Sequence, residues 1–167
     1  MANKQILEFA EKTDPAIGDH LLLQDDLSGY YMRVSRANLI KRKESLQIMI
    51  GNGSGTPSTG PIWMIYLPED CLVEIKGWRM GSLDGTSGAI QVDLWHDQNR
   101  TSASNADSIC GSGNEPALSG QSENCSTNLS SWINTLIEGG CLVANLDGIA
   151  GLTQVLLAID VEIIPSA

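Results

Sequence analysis

Asp93, His96 and Asp97 form the one compact group of metal-ligating side-chain types in this sequence. A hard cation takes carboxylate oxygens from such groups. At a strand end the same residues make a solvated polar edge, and that reading is preferred, so no metal is expected. The other histidine, His20, lies far off in the chain and supplies no general base for this group. Ser54 and Ser119 lie beside glycines, yet neither stands in a G-x-S-x-G elbow. Gly51-Asn52-Gly53-Ser54-Gly55 lacks the third glycine of a dinucleotide fingerprint and the lysine of a P-loop, so it reads as a hinge without a nucleotide. The acid pairs Asp25-Asp26 and Glu69-Asp70 sit in turn-like segments, where neighbours diverge and do not face one another across a cleft as glycosidase carboxylates must. With no nucleophile, acid pair or cofactor cradle to place, an enzyme is not expected, nor is any cofactor.

Cys71, Cys110, Cys125 and Cys141 contain no C-x-x-C pair, which argues against zinc. Free, mostly buried thiols are the first reading, with a Cys110–Cys125 bridge across a polar insert as the alternative. Trp78, Trp95 and Trp132 fall in patterned segments and read as core or sheet-packing residues ahead of sugar platforms. Trp63 directly follows the glycine-rich stretch, which suits a contact with another subunit. Asn52, Asn99, Asn124 and Asn128 match N-x-[ST], which here marks exposed polar loops.

The elements that carry these residues are mainly strands. Segments 62–67, 72–80, 89–95, 141–146 and 154–163 are β-branched, aromatic or alternating in hydrophobicity. In 89–95, Ile90, Val92 and Leu94 face one way while Gln91, Asp93 and Trp95 face the other. Residues 82–88 read as a turn, 130–137 as a strand or a single helical turn, and 97–128 as a polar insert that is long for a loop. Short strands at this spacing predict an antiparallel β-sandwich, jelly-roll-like. Ahead of it, residues 3–12 suit a short helix, 21–24 and 30–34 suit two strands, and Ser35 suits the cap of another short helix. This gives a small α/β module too small to bury a core alone.

Charge divides the 167 residues the same way. Residues 1–45 hold seven Lys/Arg and seven Asp/Glu, whereas 46–167 hold three (Lys76, Arg79, Arg100) against thirteen, so the second part carries the whole net charge of -10. That acidity excludes holding phosphate backbones by bulk attraction, and no nucleic-acid partner is expected. Apolar residues make up 42%, enough for a core, but no run approaches the ~18 residues that span a bilayer. The opening MANKQILEFAEKTD has acids where a secretory leader has its apolar centre, so neither leader nor membrane insertion is expected. The expected organisation is a docking module over 1–45, a hinge over 46–60 and a β-sandwich head over 61–167.

Residues 14–40, D-P-A-I-G-D-H-L-L-L-Q-D-D-L-S-G-Y-Y-M-R-V-S-R-A-N-L-I, resemble the opening module of tailed-bacteriophage fibre, spike and other virion-surface proteins. The positions carrying that likeness are Asp19, residues 21–24, Asp25, Asp26, Tyr31, Arg33, Val34 and Leu39. The later G-W-R-M, G-A-I-Q-V-D-L-W, S-S-W, E-G-G-C-L-V-A-N-L-D and T-Q-V-L-L-A-I-D-V stretches are similar to β-sandwich domains of phage tail and fibre proteins. The resemblance implies a small adaptor that fixes a homo-oligomer, here a homotrimer, to the particle. Leu21, Leu23, Tyr31 and Val34 would then be buried between subunits, and Arg33, Arg36, Lys41, Arg42 and Lys43 would meet carboxylates of a capsid or tail protein. It implies a non-enzymatic virion structural protein, made in the host cytoplasm and placed on the virion surface as a capsid decoration (cement) or short-fibre component. The alternative is a receptor-binding domain that holds a host cell-surface glycan through Trp63 or Trp95 with Asp93, Asp97 and Asn99.

Overall fold

In the computed structural model of the chain, the residues described are 20–24, 31–35, 42–84, 87–98 and 103–165. The chain divides into two units, one of residues 1–41 with 165–167 and one of residues 42–164. In the first, β1 (His20–Gln24) and β2 (Tyr31–Ser35) form an antiparallel pair with Leu21 opposite Val34 and Leu23 opposite Met32. The helices expected over 3–12 and after Ser35, and the turn between the strands, lie outside the described residues.

The second unit is mainly β, with two antiparallel sheets. Its strands are β3 (Arg42–Gly51), β4 (Gly60–Tyr66), β5 (Cys71–Ser82), β6 (Gly88–Asp97), β7 (Ala117–Gln121), β8 (Glu123–Ser126), β9 (Thr135–Leu136), β10 (Cys141–Ala150) and β11 (Gln154–Pro165), with one 3₁₀ turn at Asn105–Asp107. One sheet has the order β3-β11-β5-β8, with β9 also pairing β5; the other has the order β4-β10-β6-β7. The pairing is nested. The first strand of the unit pairs with the last, β4 pairs with β10, β5 with β8 and β6 with β7.

Alternation explains the strands. In β3 Leu46, Ile48 and Ile50 point inward, and in β11 Val155, Leu157, Ile159 and Val161 do the same. The register sets Ile50 opposite Val155 and Ile48 opposite Leu157. Ile90, Val92 and Leu94 of β6 and Leu142, Ala144 and Leu146 of β10 supply the other sheet's share of the same buried cluster. In β5 the buried positions run 73, 75, 77 and then 78, 80. The phase shifts at Gly77-Trp78, where a β-carbon on Gly77 would come 2.9 Å from the Ser126 carbonyl oxygen. That shift puts Trp78 inside, 5% exposed.

The stretch assigned from sequence to a hinge over 46–60 begins inside β3, which is paired along its whole length with β11 and belongs to the second unit. Regular structure is absent only from 52 to 59. The polar insert 97–128 contains the 3₁₀ turn, β7 and β8. Residues 130–137 resolve into coil ending in the two-residue β9.

Candidate functional site

The ends of the second unit differ in chemistry. Arg42 and Ile163 are register partners, so the unit's first and last strands meet at one end. At the other end lie the connections 52–59, 83–84, 122 and 151–153, in which Asp84 is the one charged residue. These connections are tied to one another. Leu83 N–H donates to the Gln154 carbonyl (2.9 Å), Ser82 N–H to the Ser122 carbonyl (2.8 Å) and Gly53 N–H to the Thr153 carbonyl (3.2 Å). The Asp84 carboxylate accepts from Thr153 N–H (2.6 Å), Thr153 Oγ1 (2.7 Å) and Gln154 N–H (3.1 Å). Donors aimed at the charged form, the Thr153 N–H first, hold the Asp84 carboxyl below its ordinary range. Asn52 Oδ1 accepts from Ser54 N–H at 3.0 Å and folds the glycine-rich connection back on itself.

Next to these connections, the outer face of the β3-β11-β5-β8 sheet is hollowed into a trough of about 730 Å³. Its floor is made by the small residues Gly81 and Ala158 with Leu156, and Leu83 stands exposed at the end near the tied connections. Gln47, Arg79 and Glu123 line it with polar groups. Arg79 donates to Asp160 at 2.9 Å. The exposed thiol of Cys125 is opposite Arg79 in the register. A β-carbon at Gly81 would meet nothing within 4 Å, so the hollow exists because no side chain fills it.

On the other sheet, outward-facing Asp93 and Trp95 are covered. Asp93, 3% exposed, accepts from Trp95 Nε1 and from Ser108 Oγ, both at 2.7 Å, and Ser108 bridges Trp95 across the backbone. Trp95 packs with Cys141, Val143 and Ala103 in a second small apolar cluster. Trp95 is thus the sheet-packing residue that its patterned segment suggested, whereas the alternative raised from sequence placed Trp95 and Asp93 in an exposed glycan contact. That assignment is corrected: at 7% exposure, with its N–H spent on Asp93, Trp95 offers no ring face to a sugar. Trp63 is half-buried against the main core, Asp97 is half-buried at the end of β6, and Asn99 lies outside the described residues. Across from Asp93 on β10 stands Asn145, which donates to Asp147 at 2.6 Å. Burial pushes the Asp147 carboxyl up, with Asp93 and Glu115 adding repulsion against the Asn145 hydrogen bond. Burial also pushes the Cys110 thiol up strongly, which keeps it protonated and unreactive.

His96 is committed on both ring nitrogens. Nε2 accepts from Ile137 N–H (3.0 Å), which leaves the proton on Nδ1 to donate to the Cys141 carbonyl (3.0 Å). It has no lone pair left for a metal, and among the described residues no group of three His, Cys, Asp or Glu side chains converges. The four cysteines are free: Cys110 and Cys141 buried, Cys71 half-buried, Cys125 exposed.

Of the docking residues, Leu21, Leu23, Tyr31, Arg33 and Val34 lie on β1 and β2, and Arg36 and Lys41 lie outside the described residues. Arg42 and Lys43 open β3, where Arg42 pairs with Glu44 at 2.6 Å. Sequence reasoning missed the trough. The only trace was a run of small outward residues, Gly81 and Ala158, on strands otherwise recognised. Compared with known proteins, the chain matches no family model, no curated protein and no solved structure.

Proposed function

We propose that the protein is a non-enzymatic structural component of a bacteriophage virion. Residues 1–45 attach it to a capsid or tail protein, and the acidic second unit is displayed as a decoration or short-fibre head. The observation that best supports this is the nested strand pairing of the second unit, in which β3 pairs with the last strand, β4 with β10, β5 with β8 and β6 with β7. This nesting supports a jelly-roll sandwich, a double-sheet fold used by viral capsid domains. In this reading Leu21, Leu23, Tyr31 and Val34 assemble a homotrimer, and Arg33, Arg36 and the basic run at 41–43 meet carboxylates of the particle.

Deleting residues 1–40 is expected to abolish incorporation into particles while the head retains its β-rich circular dichroism. Normal incorporation of that variant overturns the assignment. Light scattering is expected to give a trimer for the full chain, and a monomer removes the oligomer from the reading. In an electron-microscopy map, copies at regular capsid sites support decoration. A few copies at a tail tip favour the second reading, receptor binding. What favours that second reading is the trough beside the tied connections.

A further inference from the structure

We propose that the trough on the outer face of the β3-β11-β5-β8 sheet binds a neutral saccharide. This rests on the receptor-binding reading of the head, but it places the ligand on the sheet opposite the one that carries Trp95. Its volume, about 730 Å³, falls inside the range of small-ligand sites, roughly 300–1,000 Å³.

A sugar ring presents an apolar C–H face and a rim of hydroxyls, each able to donate and accept. The trough answers both. Gly81, Ala158 and Leu156 give a flat floor for the C–H face, with Leu83 rising at one end. Gln47 and Arg79 supply planar donors at the rim, and Glu123 supplies an acceptor. Gln47 is exposed and stands opposite Ala158 in the register, and Glu123 stands opposite Gly81, so polar groups flank the floor on both sides.

Charge selects the class of sugar. The Arg79 guanidinium is already matched by Asp160, and Glu123 then leaves the trough with a negative excess. The residues from 46 onward add three cations against thirteen acids. A uronic, sialic or sulfated sugar is repelled by this field. Neutral hydroxyls meet no such opposition and use the unspent N–H groups of Arg79.

The floor also supplies a clean test. Gly81 has ordinary backbone angles and open space where a β-carbon would go, so Gly81→Leu fills the trough and leaves the strand intact. The full chain is applied to an array of neutral, uronic, sialylated and sulfated saccharides, and the strongest neutral ligand is followed by saturation-transfer NMR. Binding of neutral saccharides is expected, weakened about tenfold or more in Gly81→Leu and measurably in Gln47→Ala, with the thermal midpoint of Gln47→Ala unchanged. Binding that survives both substitutions overturns this site and leaves receptor binding standing. A preference for acidic saccharides overturns the ligand class. Failure to bind any saccharide overturns this inference and the receptor-binding reading together, and leaves decoration to be judged by particle location.

Discussion

Asp93 shows how a polar residue on a strand can be structural. Its two oxygens are divided between Trp95 and Ser108, so it fastens the segment around 103–108 onto the sheet. Asp93→Ala leaves an indole N–H and a hydroxyl without their acceptor and is expected to cost about 2–3 kcal/mol in urea unfolding, with Trp95 emission shifted. Ser82 is the reverse case: among the described residues its Oγ is a buried oxygen with no partner. Ser82→Ala is therefore expected to leave stability unchanged or raise it by up to about 1 kcal/mol in the same measurement. Two carboxylates give pH effects of opposite sign. The Asp84 carboxyl is depressed, so its contribution is present above the ordinary carboxylate value and lost as pH falls through the lower folded value. The Asp147 carboxyl is raised, so its charge opposes folding at neutral pH, and protonation relieves this before the ordinary value is reached. Asp84→Asn should speed amide exchange at Thr153 and Gln154 at neutral pH, whereas Asp147→Asn should slow unfolding at neutral pH and flatten the profile just above the ordinary carboxylate range. Alternation correctly put Asp93 and Trp95 on the face opposite Val92. The burial of Trp95 was legible in its patterned segment, but that of Asp93 was not, because the covering segment, Ser104, Asn105, Asp107 and Ser108, is polar and holds on by hydrogen bonds that leave no periodic signature.

At the scale of elements, the strands with strong patterns were legible to within a few residues: β4, β5, β6, β10 and β11 fall where β-branched and alternating segments predicted them. β3 was hidden although Leu46, Ile48 and Ile50 alternate cleanly. The charge change and the glycine-rich run after Gly51 are stronger local signals, and they pulled the boundary into the strand. β7 and β8, ALSGQ and ENCS, carry too few apolar residues to signal themselves and exist because β6 and β5 offer open edges. The glycine that ends β3 has a sharper role than a hinge. Gly51 has φ +78° and passes so close to Thr153 that a β-carbon would overlap its carbonyl oxygen. Gly51→Ala combines a left-handed backbone penalty with a clash against main chain. A loss of at least ~2 kcal/mol is expected, whereas Gly55→Ala, with ordinary angles and nothing within 4 Å, should be silent in thermal melts. Equal melting points for the two would mean that the connection 52–59 moves freely of β11.

For the whole molecule, what counts is where the head begins. Charge and composition place the change of module between 41 and 60, and two chains that start at opposite limits of that interval should behave very differently. A chain of residues 42–167 keeps β3, with Ile48 and Ile50 each 1% exposed against Val155 and Leu157. A chain of residues 60–167 removes both isoleucines and Leu46 from the buried cluster. Each such side chain contributes roughly 1.5–3 kcal/mol, so the sum rivals the ~5–15 kcal/mol that holds a whole domain together. The loss also strips β11 of its neighbour and leaves a long apolar strand as a naked sheet edge, which invites aggregation. Residues 42–167 are therefore expected to unfold in a single cooperative urea transition followed by tryptophan emission, and residues 60–167 to be insoluble or to show no transition. A cooperative transition of equal midpoint in the shorter chain would make β3 an accessory of the head and move the boundary to residue 60.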